Sequence, residues 1–283
     1  MPPTLSLVHS PCPNDTFVFH AWTHGLIPGA PEVEVTFADI DIANGLADQD
    51  ELDVVKISCA ALPWFLDRYT LLPCGGALGR GCGPLVVTAK AAGPEALTGA
   101  TVAIPAEKST AYLLFRRWAA RAVPGGVGRI VVLPFNEIMP RVQDGSVDAG
   151  LIIHESRFTY QALGLHRVVD LGEDWEAGTG LPIPLGAIVA RRSLGPEVIA
   201  ATAAAIRASV EYAWRRPEMS REYVREYAQE MDPEVTAQHI GLYVNEFTAD
   251  LGDDGYKAVR ALLESAAEEG ACPAVAEGAL AFG

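Results

Sequence analysis

A strand and helix alternation that occurs twice constrains the fold of this chain more than any other feature. Short β-branched runs alternate with helical patterns from Leu5 to Arg68, and the alternation starts afresh at Gly93. Such alternation is typical of a mainly parallel sheet covered by helices. The strand pattern of Leu181 to Arg191 then predicts a return to the sheet that the chain leaves after Leu85 to Lys90. We therefore predict an α/β protein with two α/β lobes, the second inserted into the first.

The two predicted passages between the lobes set the domain limits. We expect the first lobe at residues 1–89 and 190–283, including the helical patterns after Gly195, and the inserted lobe at residues 90–189. A length of 283 residues suits two lobes of moderate size. A two-segment hinge of this kind is what a protein that closes on a ligand needs.

The charge of the chain excludes several classes of partner. A formal net charge of −15 repels nucleic acid phosphates and acidic membrane surfaces, and the arginines cluster in pairs at most. The apolar runs are too short for a membrane span. An anionic small-molecule substrate must then be held by local donors rather than by the overall field.

Cysteine usage and the first residues predict a cytoplasmic location. Five cysteines without CxxC spacing argue against a disulfide framework and a structural zinc site. The first residues do not pair basic residues with an apolar run, as an export signal would. The oligomeric state stays open.

A polar turn follows the first predicted strand. Ser10 to Thr16 lies between that strand and the next helix, so its backbone N–H groups and the amide of Asn14 face the edge where α/β proteins bind ligands. A rigid capped turn explains the same residues equally well.

Two further hydroxyl-bearing segments occupy equivalent places. The segments Ile57-Ser58-Cys59 and Lys108-Ser109-Thr110 each place hydroxyls where a strand ends and a helix begins. A single hydroxyl there is usually a helix N-cap. Its recurrence in both predicted lobes makes a shared anion site as plausible as simple capping, and both interpretations stay open.

His154 is the candidate for proton transfer. It ends the apolar run of Gly150 to Ile153, and this predicts a position at the carboxyl end of a buried strand. Imidazole titrates near neutral pH and suits general base catalysis. Glu155 either orients this imidazole or caps the following helix, and a purely structural histidine stays an alternative.

Two other patterns carry weaker signals. His20 and His24 have a spacing that permits metal binding, but a packing or surface role is favoured because no acidic third ligand is implied nearby. The glycine-rich stretch from Gly75 to Pro84 does not match nucleotide-binding loops. We interpret it as a flexible strand connection that offers Arg80 to a carboxylate.

Five segments together resemble the 1,4-dihydroxy-6-naphthoate synthases of the futalosine route to menaquinone. They run in order from about residue 10 to about residue 190 and read SPCPNDTFVFHA, GGALGRGCGPLVV, PFNEIMPRVQDG, DAGLIIHESRFTY and TGLPIPLGAIV. The helical C-terminal part is similar only in general character. Asn136 departs from the acidic residue expected at its position, which puts little in doubt because the position caps a helix.

The resemblance implies a fold, a reaction and site residues. It implies a periplasmic-binding-protein-like fold of type II, and conversion of cyclic dehypoxanthine futalosine to 1,4-dihydroxy-6-naphthoate by a carbon–carbon lyase without a cofactor. It implies that His154 is the proton acceptor. The substrate contacts that it implies are Lys56, Ile57, Ser58, Ser109 and Thr110.

Two alternatives remain at this point. A non-catalytic solute-binding protein would share the fold, but Cys12 lacks the preceding apolar segment of a lipid anchor. Chorismate dehydratase of the same pathway also shares the fold, and the LIIHE motif around His154 favours the naphthoate synthase.

Overall fold

A computed structural model describes residues 4–49, 52–228 and 232–282. The chain divides into two compact units: unit 1 is Met1–Gly79 with Pro184–Gly283, and unit 2 is Arg80–Ile183. These limits lie earlier than the predicted ones at 89/90 and 189/190. The reason for the first difference is the strand Leu85–Thr88, which pairs within the sheet of unit 2 and not within that of unit 1.

The sheet of unit 1 has the strand order β2-β1-β3-β11-β4, with β5 also paired to β11. Its strands are β1 (Leu5–His9), β2 (Val33–Phe37), β3 (Val54–Ser58), β4 (Tyr69–Leu71), β5 (Ala77–Gly79) and β11 (Ile183–Arg191). β1 pairs in parallel with β2 and β3, whereas β11 is antiparallel to β3 and β4. β11 therefore runs against β1 to β4.

The sheet of unit 2 also contains a strand that runs against its neighbours, and its strand order is β10-β6-β9-β7-β8. Its strands are β6 (Leu85–Thr88), β7 (Thr101–Ile104), β8 (Arg129–Val132), β9 (Ala149–Ile152) and β10 (His166–Asp170). β7 is parallel to β8 and β9, and β6 is antiparallel to β9 and β10. Each sheet is thus mainly parallel, with a reversed strand that follows a passage of the chain from the other unit.

Helices cover both sheets. Those of unit 1 are α1 (Pro13–Thr23), α2 (Ile40–Ala47), α7 (Pro196–Arg215), α8 (Arg221–Tyr227), α9 (Pro233–Tyr243), α10 (Glu246–Ala249) and α11 (Gly252–Glu268). Those of unit 2 are α3 (Thr110–Ala122), α4 (Phe135–Gln143), α5 (Ser156–Thr159) and α6 (Leu171–Thr179). No helix in the described ranges is long and apolar enough to cross a bilayer.

Each unit has its own apolar core. In unit 1, Leu7 of β1, Phe19 of α1 and Ile206 of α7 are completely buried in one cluster. In unit 2, the core includes Ile138 and Val142, through which α4 packs against the sheet. Apolar burial on this scale is the main favourable term in folding, so each sheet is held by the helices that cover it.

Two helices that the sequence pattern predicts have different forms in the structure. The pattern of Ala60 to Arg68 predicts a short helix, and the structure has a 3₁₀ helix at Cys59–Trp64 that contains Pro63. Proline lacks the N–H that an α-helix interior requires, which limits this helix to a short turn. The pattern of Glu155 to Leu163 predicts one helix, and the structure divides it into α5 and a 3₁₀ turn at Tyr160–Leu163.

A substitution at Gly150 tests the packing of α4 on β9. A Cβ at Gly150 would lie 2.5 Å from Cγ2 of Ile138 and 2.8 Å from Cγ2 of Val142. We expect Gly150→Ala to lower the free energy of unfolding by about 1 to 3 kcal/mol, because buried side chains must move. Thermal denaturation measures the loss. Gly45→Ala is the control, because Gly45 lies in α2 with no atom within 4 Å of the added Cβ, and an unchanged Gly150→Ala protein would contradict the packing.

Candidate functional site

The turn between β1 and α1 is held by its own side chains. Ser10 Oγ donates a 2.7 Å hydrogen bond to Asp15 Oδ2 and accepts one of 3.3 Å from the Cys12 N–H. Pro13 begins α1, where the missing N–H has no consequence. Side-chain hydrogen bonds therefore hold this turn, but the N-cap of α1 is Cys12 and makes no side-chain cap hydrogen bond, so the capped-turn interpretation is wrong in this detail.

A buried ion pair lies behind this turn. Lys56, on β3, donates a hydrogen bond to Asp15 Oδ1, and the two side chains are 7% and 2% exposed. Burial alone would raise the pKa of Asp15, but the charges of Lys56 and His9 and the hydrogen bonds from Lys56 and Ser10 lower it below its ordinary value. The carboxylate and the ammonium thus compensate each other's burial.

Asn14 is held at both ends of its amide. Its Nδ2 donates to Asp15 Oδ1 at 2.8 Å, and its Oδ1 lies 2.9 Å from Nε2 of the buried His239 on α9. Of the candidates from the sequence, the structure thus brings Asn14 and Lys56 together around Asp15. Asp15 and His239 were missed, because a single sequence does not show which distant residues meet.

Ile57 and Ser58 complete this edge of unit 1. Both are buried, and the backbone N–H of Ser58 donates to Asn44 Oδ1 at 3.1 Å. Since β1 and β3 are parallel, Ser58 and the turn at Ser10 follow the same edge of the sheet. Gly186 on β11 is opposite Ser58 and leaves room for Lys56, whose Cε would lie 3.0 Å from an added Cβ.

In unit 2, Ser109 and Thr110 begin α3 after the end of β7. Ser109 is the N-cap: its Oγ accepts a 3.1 Å hydrogen bond from the Tyr112 N–H and donates one of 2.7 Å to the Ala106 carbonyl. Ser109 and Thr110 are 5% and 2% exposed. The Ser109 hydroxyl thus serves the start of α3 itself, and an anion bound here would meet the backbone of the first helical turn.

His154 lies at the same edge of unit 2, after the parallel strand β9. Its φ of 55° makes it the one non-glycine residue with positive φ in the described part of the chain. The sequence predicts a strand from Val147 to His154, and the strand in the structure is shorter, at Ala149–Ile152. Left-handed backbone in a non-glycine residue is sparsely populated and concentrates at functional sites.

The ring of His154 lies between an acidic and an aromatic neighbour. Its Nδ1 is 4.0 Å from Oε2 of the buried Glu155, its centroid is 5.0 Å from that of Phe135, and its side chain is 24% exposed. A distance of 4.0 Å is too long for a hydrogen bond but lies within ion-pair range. Glu155 is thus an acidic neighbour of this imidazole.

The other candidates have local partners. Arg80 is 55% exposed, donates a 2.9 Å hydrogen bond to the Gly180 carbonyl and lies 3.6 Å from Glu176. Gly75 and Gly76 are tightly packed, since an added Cβ would meet Ile206 and the Gly186 carbonyl oxygen at 2.8 and 2.7 Å. The interpretation of this stretch as a flexible connection is therefore wrong at these two glycines.

The histidine pair and the buried thiols have packing roles. The rings of His20 and His24 are 4.4 Å apart and both contact Tyr223, in agreement with the packing role. Burial raises the pKa of Cys59 and of Cys82 to about 12, so these thiols stay protonated and are poor nucleophiles.

Comparison with known sequences gives consistent results. A family model described as "Menaquinone biosynthesis" matches residues 5–268. The chain is 67% identical to a protein of Streptomyces coelicolor, over 99% of this chain and 98% of that protein, and 47% identical to one of Thermus thermophilus, over 94% and 95%. Both relatives are named 1,4-dihydroxy-6-naphtoate synthase.

Comparison with solved structures confirms the predicted fold class. A protein of Archaeoglobus fulgidus superposes with a TM-score of 0.87 at 34% identity, over 94% of this chain and 98% of that one. A Candida albicans protein described as having the generic periplasmic binding protein fold gives a TM-score of 0.67 at 14% identity, over 98% and 93%. The alkanesulfonate-binding protein of Xanthomonas axonopodis pv. citri gives 0.71 at 13%, over 96% and 95%. The last two show the fold alone, which is periplasmic-binding-protein-like.

The buried pair predicts a large effect of removing one charge. We expect Asp15→Asn to lower the free energy of unfolding by about 3 to 5 kcal/mol, because Lys56 would stay buried without its counter-charge. Denaturant titration measures this. The control is Asp254→Asn, which removes an exposed pair with Lys257 at 3.3 Å and is expected to change stability by less than about 1 kcal/mol. Equal effects in both variants would contradict the assignment.

His9, at the end of β1, predicts a loss of stability in acid. Its Nδ1 donates to the Ser10 carbonyl at 2.8 Å, its ring stacks on Phe19, and burial lowers its pKa from 6.5 to about 4. Since the unfolded chain takes up this proton near pH 6.5 and the folded one only near pH 4, stability falls as pH falls between these values.

The size of this loss of stability follows from the lowered pKa of His9. The pKa difference corresponds to roughly 3 kcal/mol at its full extent. We expect His9→Leu to reduce the slope of stability against pH in this window, measured by urea titrations at several pH values. His166→Leu, at an exposed position of β10, is the control. An unchanged slope in His9→Leu would refute the role of His9.

Proposed function

The chain belongs to the menaquinone biosynthesis family, and we propose that it acts as a 1,4-dihydroxy-6-naphthoate synthase in which His154 accepts the proton. Two relatives with this name match nearly the whole chain. The observation that carries the role of His154 is its left-handed backbone at the carboxyl edge of the unit 2 sheet. This conformation places a partly exposed imidazole beside a buried carboxylate.

We propose that Nε2 of His154 faces the substrate. Nδ1 is the nitrogen near Glu155, at 4.0 Å. When Nε2 accepts a proton, the carboxylate of Glu155 stabilises the imidazolium without itself taking the proton. Glu155 therefore acts as the orienting group, one of the two roles left open for it by the sequence.

We propose that the substrate is cyclic dehypoxanthine futalosine and that the reaction is a carbon–carbon lyase step. His154 removes a proton from the substrate, and the electron pair left behind drives cleavage of a carbon–carbon bond into two fragments. The protonated His154 returns the proton to the fragment that takes the electrons of the broken bond, and the aromatic naphthalene ring of the product makes the step favourable. General base catalysis contributes about 10²- to 10⁴-fold, so the remaining acceleration depends on positioning of the substrate.

Each unit has its own proposed substrate contacts. In unit 1 they are Asn14, Lys56, Ile57 and Ser58, and in unit 2 they are Arg80, Ser109 and Thr110. Because the Ser109 hydroxyl already has two local partners, we propose that the backbone at the start of α3 supplies donors to the substrate carboxylate. This use of local donors suits a chain with a net charge of −15. The cytoplasmic location stays a prediction.

His154→Asn tests the proposed base with little change of the backbone. Asparagine tolerates the left-handed conformation but does not accept a proton near neutral pH. We expect turnover of cyclic dehypoxanthine futalosine to fall by at least about 10²-fold, with binding of the substrate retained. Mass analysis of the products measures turnover, and calorimetry measures binding of the substrate.

The exposed His166 provides the matched control, since His166→Asn makes the same change in the same unit. Near-wild-type turnover in His154→Asn would overturn the proposal for this residue. Incubation of the wild-type protein with chorismate tests the alternative dehydratase, and formation of a dehydrated product in that reaction would contradict the synthase activity.

A further inference from the structure

We propose that Arg157 is a positioning residue that holds His154 in its left-handed conformation. This inference rests on the proposed function, since it concerns the proton acceptor. The backbone N–H of Arg157 donates a 3.2 Å hydrogen bond to the carbonyl of His154. Arg157 is therefore joined to the turn whose geometry places the imidazole.

The guanidinium of Arg157 connects this turn to two neighbouring strands. Nη1 donates to the Gly83 carbonyl at 2.7 Å, just before β6, and Nη2 donates to Asp170 Oδ2 at 2.6 Å, at the end of β10. Since β6 lies between β9 and β10, Arg157 connects three adjacent strands at the edge that carries His154: its backbone contacts the turn after β9, and its side chain contacts the ends of the other two.

Both acceptors are themselves fixed. The Asp170 side chain is completely buried, and its Oδ1 accepts hydrogen bonds from Gly172 and Glu173 at the start of α6, at 2.9 and 3.2 Å. Gly83 packs on the same backbone, because an added Cβ would lie 2.1 Å from the Gly172 nitrogen. Charge-assisted hydrogen bonds from a planar guanidinium to fixed acceptors define direction as well as distance.

The turn at His154 needs contacts such as those of Arg157 to keep its conformation. α5 spans only Ser156–Thr159, which is too short to be stable by itself. The left-handed backbone of His154, with φ of 55°, is less favourable than the right-handed form for a residue other than glycine. The contacts of Arg157 oppose relaxation of this backbone, and so keep the ring at the position from which it reaches a proton.

Arg157→Met and Arg157→Lys test the inference, with Arg167→Met as the matched control. Arg167 also approaches Asp170 Oδ2, at 3.8 Å, but it lies on β10 and is 44% exposed. We expect Arg157→Met to lower kcat about 10- to 100-fold with KM changed less than about threefold, because displacement of the base affects the chemical step. Arg157→Lys regains part of kcat, and Arg167→Met changes neither parameter more than about twofold.

A second measurement needs no turnover. The ring resonance of His154 is identified by its loss in His154→Asn and is then followed by NMR in each variant. We expect it to shift or broaden in Arg157→Met and to stay in place in Arg167→Met. The NMR result is independent of the role of His154 in catalysis. If His154→Asn retains activity, His154 is not the base, but a shifted ring resonance in Arg157→Met would still show that Arg157 positions this ring.

Three results would overturn the inference. An unchanged kcat and an unchanged His154 resonance in Arg157→Met would show that the turn holds without the guanidinium. A raised KM at constant kcat would assign Arg157 to substrate contact. Equal losses in Arg167→Met and Arg157→Met would indicate a general effect of charge near Asp170.

Discussion

Parallel strand pairing is the constraint on which the candidate site depends. Because the carboxyl ends of parallel strands share one edge, the turns after β1 and β3 meet in unit 1, and those after β7 and β9 meet in unit 2. The positions of the polar side chains at these edges follow from the strand pairing. Lys56 and Asn14 reach Asp15 at one edge, and Ser109 and His154 follow the other.

Much of this arrangement is predictable from the sequence. Continuous apolar or β-branched runs predict buried strands such as β1 and β9, and the position of His154 after such a run places it at the correct edge. The helix α6 was missed, because its sequence LGEDWEAGT contains two glycines and has little apolar periodicity. The reversed strand β6 was assigned to the other sheet, since a strand pattern does not state its partner.

The interactions that orient the site residues are the part that sequence patterns do not reach. Arg157 contacts Gly83, which is 74 residues away, and His239 contacts Asn14, which is 225 residues away. Neither pair has a spacing that any periodic rule would connect. Although these partners are distant in sequence, their contacts are short and act locally in the folded chain. The net negative charge of the chain therefore has little effect on how the site residues are held.

The place of β11 between β3 and β4 affects how this chain is made. The residues of unit 2 form one continuous stretch, so all strands of its sheet leave the ribosome before β11 does. Until the inserted unit has been translated, β3 therefore lacks the strand that lies between it and β4 in the folded sheet. The edge of a buried strand that waits for its partner is open to pairing with other chains.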